Sequence, residues 1–525
     1  MIKQFNVNGA CKPDRHYMVE LGSRLEEIRK MIDDGAYFSI NRARQYGKTT
    51  ILRALAEYLK KDYFVLSLDF QRMSYLDFEQ ESSFVHGLAR EILRKIKTEN
   101  DIAEEIKEEF VKLADKSNHA PRMAEIFDIF SAWCGQTDKP VVFIVDEVDT
   151  ATNNQVFLDF LAQLRAAYLD SDVIPTFQSV ILAGVYDIRS MQRKIRQDEE
   201  HKENSPWNIA ADFLVDMSFS IEDIMGMLEE YEEDYHTGMD IRQMAVMIDD
   251  YTSGYPYLVS RICKLIDEYD ALKTGFDGWC QAGVAEAVRM ILKSSNTLFD
   301  DMQKKLMDDP ELKRMIYSIL FGGKSFPYYP VSQPVKIGVL FGFIKEENEQ
   351  AVIANRIFET FFYDLFLAED ILESKTYDAA LLSRNQFVKN GILDMELILT
   401  KFLEHYHEIY SNSSEKFAEE HGRKLFLLYL KPIINGTGNY YIESRTRSMG
   451  RTDVVIDYLG RQTVVELKVW RGNEYHKKGE KQLAGYLEDY HLEKGYLLSF
   501  CFNKNKKIGK RVILCEGKRI VEVVV

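Results

Sequence analysis

Short apolar runs alternate with amphipathic helical patterns over the first 220 residues. Buried strands of a parallel sheet appear in a sequence as continuous apolar runs, and helices connect them. The runs at 37–41, 63–70, 140–145 and 179–184 therefore predict four strands. A helical pattern starts at Thr49, directly after the first strand. The fold class predicted for this region is α/β, with a parallel sheet.

The pattern becomes mostly helical after residue 220. Residues 339–366 predict a helix end, a two-strand hairpin around Glu346–Gln350 and a closing helix, an order that resembles a winged helix. Later apolar runs and helical patterns predict a second α/β domain. The predicted domains are an α/β domain (1–220), a helical lid with a winged helix (221–370), a polar linker (371–390) and a C-terminal α/β domain (391–525).

Composition narrows the class of protein. A length of 525 residues suggests several domains. The longest apolar runs are shorter than a membrane span, and the first residues lack the apolar core of a secretion signal. We therefore expect a cytoplasmic protein without a membrane partner. The six cysteines form no C-x-x-C motif and are interpreted as reduced core thiols, not as zinc ligands or disulfides.

Charge is distributed unevenly along the chain. The net charge is −16, which argues against a general coat for nucleic acid. Residues 376–525 hold 24 Lys+Arg and 19 Asp+Glu, a surplus of five positive charges, so the rest of the chain carries −21. A polyanion is therefore expected to bind at the C-terminal end.

The stretch "INRARQYGKTT" (40–50) ends like a phosphate-binding loop. Lys48 is placed to reach the β- and γ-phosphates and Thr49 to bind Mg²⁺, while backbone N–H groups from Gln45 to Thr50 face the phosphates. Arg42 occupies the position of the usual first glycine. The alternative is a turn that carries a surface lysine. The predicted cofactor-binding residues are Gln45, Tyr46, Gly47, Lys48, Thr49, Thr50 and Asp146.

A second acidic motif, "VVFIVDEVD", ends the third predicted strand. Asp146 is expected to hold Mg²⁺ through water, and Glu147 to polarise the attacking water. The alternative is a pair of acidic residues at a solvated sheet edge.

Together these motifs resemble the AAA-like ATPase family, whose loop is R-x-R-[RQ]-[FY]-G-K-[ST]. The match runs from Arg42 to Thr49, and in that family an arginine at the first position is normal. Residues 184–187 resemble its sensor segment. Gly254 and Pro256 resemble its G-x-P element, although a helix start with proline is equally compatible. The resemblance implies ATP and Mg²⁺. Four arginines are candidate fingers or solvated side chains: Arg165, Arg189, Arg193 and Arg196.

The stretch "GRTDVVIDYLGRQTVVELKVW" (450–470) predicts a hairpin. A turn centred between Leu459 and Gly460 places Asp453 opposite Glu466, with Lys468 on the same face. Facing carboxylates repel unless a cation lies between them, and Mg²⁺ or Mn²⁺ suits their oxygens. The alternative is a surface salt-bridge network that includes Arg451.

This hairpin resembles the PD-(D/E)XK nuclease superfamily, although Thr452 replaces the proline of its motif. Gln482 and Tyr486 match its Q-x-x-x-Y element and are predicted to bind substrate. Glu420, with Glu419 and Glu415 as competitors, fits a further acidic ligand. The predicted catalytic residues are Asp453, Glu466, Lys468, Glu420 and Glu147. Two basic clusters, 477–481 and 503–511, are candidate phosphate contacts or solvated loops.

The two resemblances together imply an ATPase whose nucleotide state gates a metal-dependent DNA nuclease. A regulatory ATPase that binds DNA or protein through a non-cleaving module is the alternative. A metabolic kinase would leave the C-terminal residues unexplained. DNA is the implied partner, and a homo-oligomer is compatible with the sequence.

Overall fold

The four apolar runs near the N-terminus form one parallel sheet in the computed structural model. The strands are β1 (Phe38–Asn41), β2 (Phe64–Asp69), β3 (Val141–Asp146) and β4 (Ser179–Gly184), in the order β1-β4-β3-β2. Every residue of β3 and β4 is buried, as expected when both faces of a sheet are covered. The predicted parallel α/β sheet is confirmed.

The structure describes most of the chain. It leaves out residues 1, 98, 100, 116, 118–119, 152–153, 186–187, 189–205, 273–277, 322–325, 372–373, 411–418, 435–437, 444–451, 460, 470–472, 490–491 and 502–507. For residues 269–272, 409–410, 419–421, 439, 441–443, 452–453, 469, 473–478 and 489 it describes the backbone alone.

Helices cover both faces of the N-terminal sheet. They are α1 (Gly22–Asp33), α2 (Lys48–Leu59), α3 (Glu81–Ile96), α4 (Glu104–Ala114), α5 (Met123–Gln136) and α6 (Gln155–Leu169), and helix α7 (Ile221–Tyr235) follows later in the chain. Alternate residues of β3 enter two different hydrophobic cores: Phe143 packs with α3 and α5, and Ile144 packs with α1 and α2. The sheet edge at the ends of β1 and β3 is thereby fixed from both sides.

The chain divides into two compact units. The first comprises Met1–Asp234 together with two short later segments, Tyr255–Ser260 and Leu340–Gly342. The second comprises Tyr235–Gly254, Arg261–Val339 and Phe343–Val525.

The middle of the chain is mainly helical, as predicted. Its helices are α8 (Ile241–Thr252), α9 (Pro256–Leu272), α10 (Gln281–Lys293), α11 (Thr297–Asp308), α12 (Pro310–Leu320), α13 (Gln333–Leu340) and α14 (Arg356–Ile371). Between α13 and α14 lies the expected hairpin, β5 (Ile344–Glu347) and β6 (Gln350–Ile353), paired antiparallel.

The polar segment 371–390, predicted to be a linker, contains helix α15 (Lys375–Ser383). Thr376 and Ala380 of this helix are buried. The segment therefore has secondary structure and a buried side of its own. The domain boundaries remain a prediction.

A six-stranded sheet forms the C-terminal part. After the short pair β7 (Val388–Lys389) and β8 (Ile392–Leu393), its strands are β9 (Gly438–Glu443), β10 (Thr452–Tyr458), β11 (Arg461–Val469), β12 (Lys494–Phe500), β13 (Gly509–Cys515) and β14 (Lys518–Val524). Strands β9, β10 and β11 are consecutive antiparallel neighbours, and β11, β12 and β14 are parallel.

Helices cover the two faces of this sheet. They are α16 (Met395–Tyr410), α17 (Glu419–Ile434) and α18 (Asn473–Asp489). Phe500 faces Phe402 of α16 and Gly422 of α17. Gly495 points to the opposite face, towards Leu487 of α18. Side chains of β11 that face α18 therefore lie in a covered layer.

Glu396 of α16 lies among three basic side chains of the same unit. It accepts hydrogen bonds from Lys494 and Lys510, the latter at 2.8 Å, and Arg519 approaches to 3.8 Å. These hydrogen bonds lower the pKa of Glu396 to about 2.

A carboxylate with a lowered pKa stabilises the fold above its unfolded pKa, and this contribution is lost as the pH falls. We therefore expect Glu396→Gln to lower the urea midpoint of unfolding at pH 7. The difference from wild type should shrink between about pH 4.5 and pH 2. Glu408→Gln, on the same helix, is the control; an equal effect of both variants would contradict the prediction.

None of the six cysteines, all of which the structure describes, forms a disulfide. Cys263 is fully buried and Cys134 packs against the hydrophobic core, so the prediction of core thiols is wrong only for the other four, which are partly exposed. Within the described part of the chain, every helix is too short or too polar to cross a membrane.

Candidate functional site

The phosphate-binding loop lies between β1 and α2. Gln45 and Gly47 have positive φ angles of 59° and 82°, and an added methyl group at Gly47 would meet open space. Helix α2 begins at Lys48, and within the described residues no side chain caps its start. The first N–H groups of α2 therefore point out of the helix, which suits an anion.

Lys48 is buried against this loop, with 6% of its surface exposed. Its Nζ donates to the carbonyl oxygens of Arg42 at 2.8 Å and Ala43 at 3.0 Å. Burial lowers the pKa of Lys48, and the carboxylates of Asp149, Glu147 and Asp146 oppose that effect. The lysine is thus the cation that the loop supplies next to the helix start.

Thr49 and Asp146 meet across the ends of neighbouring elements. The Thr49 hydroxyl donates to Asp146 Oδ2 at 2.9 Å, and Asp146 Oδ1 accepts the Glu147 N–H at 2.9 Å. Burial raises the pKa of Asp146 and, together with Asp146, that of Glu147. A hydroxyl and a carboxylate at this spacing fit Mg²⁺, which usually takes one or two protein oxygens together with substrate phosphates and waters.

Arg42 has a structural role in the first unit. It is not among the residues with positive φ, and its N–H donates to the Gly184 carbonyl at 3.2 Å. The guanidinium donates to the Val215 carbonyl at 3.0 Å and lies 5.3 Å from the Phe213 ring centre. The Arg42 side chain is therefore held by other residues of the first unit.

We expect Arg42→Ala to lower the melting temperature by several degrees, since the loss of a hydrogen bond and a cation–π contact costs about 1–2 kcal/mol. The affinity for Mg-ATP should stay within about threefold, because the phosphate-facing N–H groups lie further along the loop. Calorimetry of unfolding and binding tests both points. Arg15→Ala, an exposed arginine, is the control; a collapse of affinity in Arg42→Ala alone would contradict the prediction.

The remaining predicted loop residues contact other parts of the first unit. The Thr50 hydroxyl accepts the Cys11 N–H at 3.1 Å, and the Tyr46 ring meets Tyr255 edge-on at 4.8 Å. The Tyr255 hydroxyl donates to the Arg44 carbonyl at 2.6 Å. Tyr255 lies between Gly254 and Pro256, so the predicted G-x-P element reaches the loop through its middle residue.

Sequence reasoning missed Tyr255 and also Gly342. A methyl group added at Gly342 would lie 3.0 Å from Ala43 Cβ, and the φ of Gly342 is 72°. Tyr255 is the variable position of the G-x-P element, and no local pattern marks Gly342. Each contact joins distant parts of the sequence. Of the other candidates, Tyr186, Asp187, Arg189, Arg193 and Arg196 lie outside the described residues.

The C-terminal hairpin has the predicted register. Strands β10 and β11 pair Val454 with Val465 and Tyr458 with Arg461. Glu466 follows directly after Val465 and is completely buried, and its Oε1 lies 2.9 Å from Lys468 Nζ. The side chains of Asp453 and Glu420 lie outside the described residues.

Helix α18 covers this pair. Gln482 donates to the Tyr486 hydroxyl at 2.5 Å, and Tyr486 is completely buried. A methyl group added at Gly479 would lie 3.4 Å from Lys468 Cε. The predicted Gln-Tyr pair therefore belongs to the helix that packs over Lys468. Among the described side chains, no group of three His, Cys, Asp or Glu has the geometry of a metal site.

A further buried polar group on the same sheet face was not predicted. Glu522 is completely buried, accepts the Ser499 hydroxyl at 2.8 Å and pairs with Arg511, which also approaches Glu480 of α18 at 3.7 Å. Strand register places Ser499 beside Lys468. A single glutamate within the apolar run "RIVEVVV" is the only sequence signal for this network.

Comparison with solved structures found proteins of low sequence identity. The chain resembles a Walker-type ATPase of Pyrococcus abyssi (14% identity, 68% of this chain and 99% of the other, TM-score 0.48). It also resembles Cdc6p of Pyrobaculum aerophilum, at 11% identity over 70% of this chain and 97% of the other, with a TM-score of 0.35. The RuvB branch migration motor of Thermotoga maritima is similar at 12% identity over 67% of this chain and 96% of the other, with a TM-score of 0.33. No match was found among curated proteins.

The family comparison covers most of the chain. A model of the AAA-like domain matches residues 14–364, which include the loop, both acidic residues at the end of β3 and the β5–β6 hairpin. The chain therefore belongs to the AAA-like domain family.

Proposed function

We propose that this AAA-like protein binds and hydrolyses ATP, and that its nucleotide state gates a metal-dependent DNA nuclease in the C-terminal domain. One observation carries the nuclease part: completely buried Glu466 is paired with Lys468 on β11. The neighbouring strand β10 contains Asp453, one residue before Val454, which pairs with Val465. Burying an ion pair costs several kcal/mol of desolvation, so a purely structural use of this pair is expensive.

The ATPase part of the proposal uses the loop. Lys48 would bind the β- and γ-phosphates, and Thr49 and Asp146 would hold Mg²⁺, which would supply charge neutralisation at the phosphates. Glu147 takes a proton from water as the water oxygen bonds to the γ-phosphorus. The bond between that phosphorus and the bridging oxygen of ADP breaks at the same time. Burial and the neighbouring Asp146 raise the pKa of Glu147, so it is a stronger base than an exposed glutamate.

The nuclease part uses the hairpin and its covering helix. Asp453 and Glu466, with Glu420, would hold Mg²⁺ or Mn²⁺, which supplies an activated water. Lys468 would offset charge on the phosphate as the water oxygen bonds to phosphorus and loses a proton to solvent. The bond to the sugar oxygen breaks, and that oxygen takes up a proton from solvent. Gln482 and Tyr486 would contact the substrate.

The proposed domain organisation keeps the sequence boundaries: an ATPase domain (1–220), a helical lid with a winged helix (221–370), a linker (371–390) and a nuclease-like domain (391–525). The proposed winged helix consists of α13, the β5–β6 hairpin and α14.

The test uses the full chain with Mg²⁺ or Mn²⁺ and linear, circular or single-stranded DNA, with and without ATP. We expect phosphate release from ATP, and DNA cleavage whose rate depends on nucleotide. DNA binding without cleavage under every condition would favour the alternative, a regulatory ATPase with a non-cleaving module.

A further inference from the structure

Asp149 lies in the single 3₁₀ turn Val148–Ala151 that follows β3, three residues beyond Asp146. Its Oδ2 accepts the Val185 N–H at 2.6 Å, just past the end of β4. A methyl group added at Gly184 would lie 2.8 Å from Asp149 Oδ1 and 3.0 Å from Val148 Cγ2. The carboxylate is thus packed so closely against the end of β4 that an alanine at position 184 would force the side chain of Asp149 or Val148 to shift.

The end of β4 in turn supports the phosphate-binding loop. The Gly184 carbonyl accepts the Arg42 N–H at 3.2 Å, and the Arg42 carbonyl accepts Lys48 Nζ at 2.8 Å. A continuous series of contacts therefore runs from Asp149 through Gly184 and Arg42 to Lys48.

The charge of Asp149 also acts on Lys48. Burial lowers the pKa of Lys48, and Asp149 opposes that effect more than Glu147 or Asp146 does. The carboxylate of Asp149 therefore favours the charged form of the lysine. Its hydrogen bond to Val185, however, leaves it directed at the backbone and not at a reacting atom.

We propose that Asp149 is a positioning residue for ATP hydrolysis, which holds the end of β4 against the loop so that Lys48 and the β3 carboxylates keep their relative places. The inference rests on the proposed ATPase activity. Displacement of catalytic groups by about 1 Å can cost about 100-fold in rate, so a supporting contact of this kind has a measurable effect.

The experiment compares Asp149→Ala, Asp149→Asn and Gly184→Ala in the full chain. Alanine removes the acceptor for Val185, whereas asparagine keeps an oxygen there. We expect kcat for ATP hydrolysis to fall about 10- to 100-fold in Asp149→Ala. KM for ATP should stay within about threefold, because the loop N–H groups remain. Asp149→Asn should recover most of kcat, and Gly184→Ala should behave like Asp149→Ala.

The control is Asp115→Ala, an exposed aspartate that accepts the Ser117 N–H at 2.9 Å. All rates are measured at least about 15 °C below the melting temperature of each variant, so that lost stability does not imitate lost catalysis. If Asp149→Ala does not fold, the inference is tested with Asp149→Asn and Gly184→Ala instead. A wild-type kcat in Gly184→Ala would overturn the inference. So would wild-type kcat in Asp149→Ala, or equal losses in the alanine and asparagine variants. A wild-type chain that hydrolyses no ATP would overturn the proposed ATPase function as well.

Discussion

Replacement of Lys48 by alanine is expected to lower kcat for ATP hydrolysis by about 100- to 1,000-fold, the usual loss when one preorganised donor to developing charge is removed. The effect should be large because Lys48 is almost completely buried, where a charge acts through less solvent than at the surface. Neighbouring carboxylates oppose the effect of burial on its pKa, which favours the charged form.

The matched control is Lys60→Ala, because Lys60 directly follows the same helix α2 and is exposed, paired with Glu57. Phosphate release gives kcat, and calorimetry gives the affinity for Mg-ATP. Thermal unfolding shows whether the Lys48→Ala variant is folded under the assay conditions. A kcat within about threefold of wild type would mean that the loop does not bind phosphates in the proposed way.

The nucleotide loop shows what a single sequence can and cannot predict. Lys48, Thr49 and Asp146 were predicted from local spacing, and the structure brings them together at one sheet edge. Local spacing suffices here because a strand, a turn and a helix start are close in sequence, and parallel strands end at the same edge. The contacts of the Arg42 side chain could not be predicted, because its partners Phe213 and Val215 lie about 170 residues further along the sequence.

In the C-terminal sheet, too, local features could be predicted from the sequence and tertiary contacts could not. The register of β10 and β11 follows from one turn position, and the observed pairs agree with it. The network around Glu522 joins β12, β13, β14 and α18, and which strands become neighbours is set by the tertiary fold. In the polar segment 371–390, only Thr376 and Ala380 show that helix α15 has a buried side. Small residues of this kind give too weak a hydrophobic pattern to predict a packed helix.

The substitution Glu466→Gln tests whether the C-terminal domain is a metal-dependent nuclease. Glutamine has nearly the same volume as glutamate but is a much weaker ligand for a divalent cation, so the core stays filled while the proposed metal site loses its charge. We expect DNA cleavage with Mg²⁺ or Mn²⁺ to fall below detection, while kcat for ATP hydrolysis stays within about twofold. Glutamine is preferable to alanine, since truncating one partner of a buried pair typically costs about 3–5 kcal/mol.

The Glu466→Gln variant also changes the surroundings of Lys468. Lys468 lies 2.9 Å from Glu466, so the variant leaves a largely buried lysine beside a neutral amide, and some loss of stability is expected. Glu493→Gln, a largely exposed glutamate that pairs with Lys518, is the matched control for the change of charge. Thermal unfolding and gel-shift binding of DNA accompany the cleavage assay. Wild-type cleavage by folded Glu466→Gln would exclude Glu466 as a metal ligand, whereas DNA binding by wild type and variant without any product would identify the domain as a non-cleaving module.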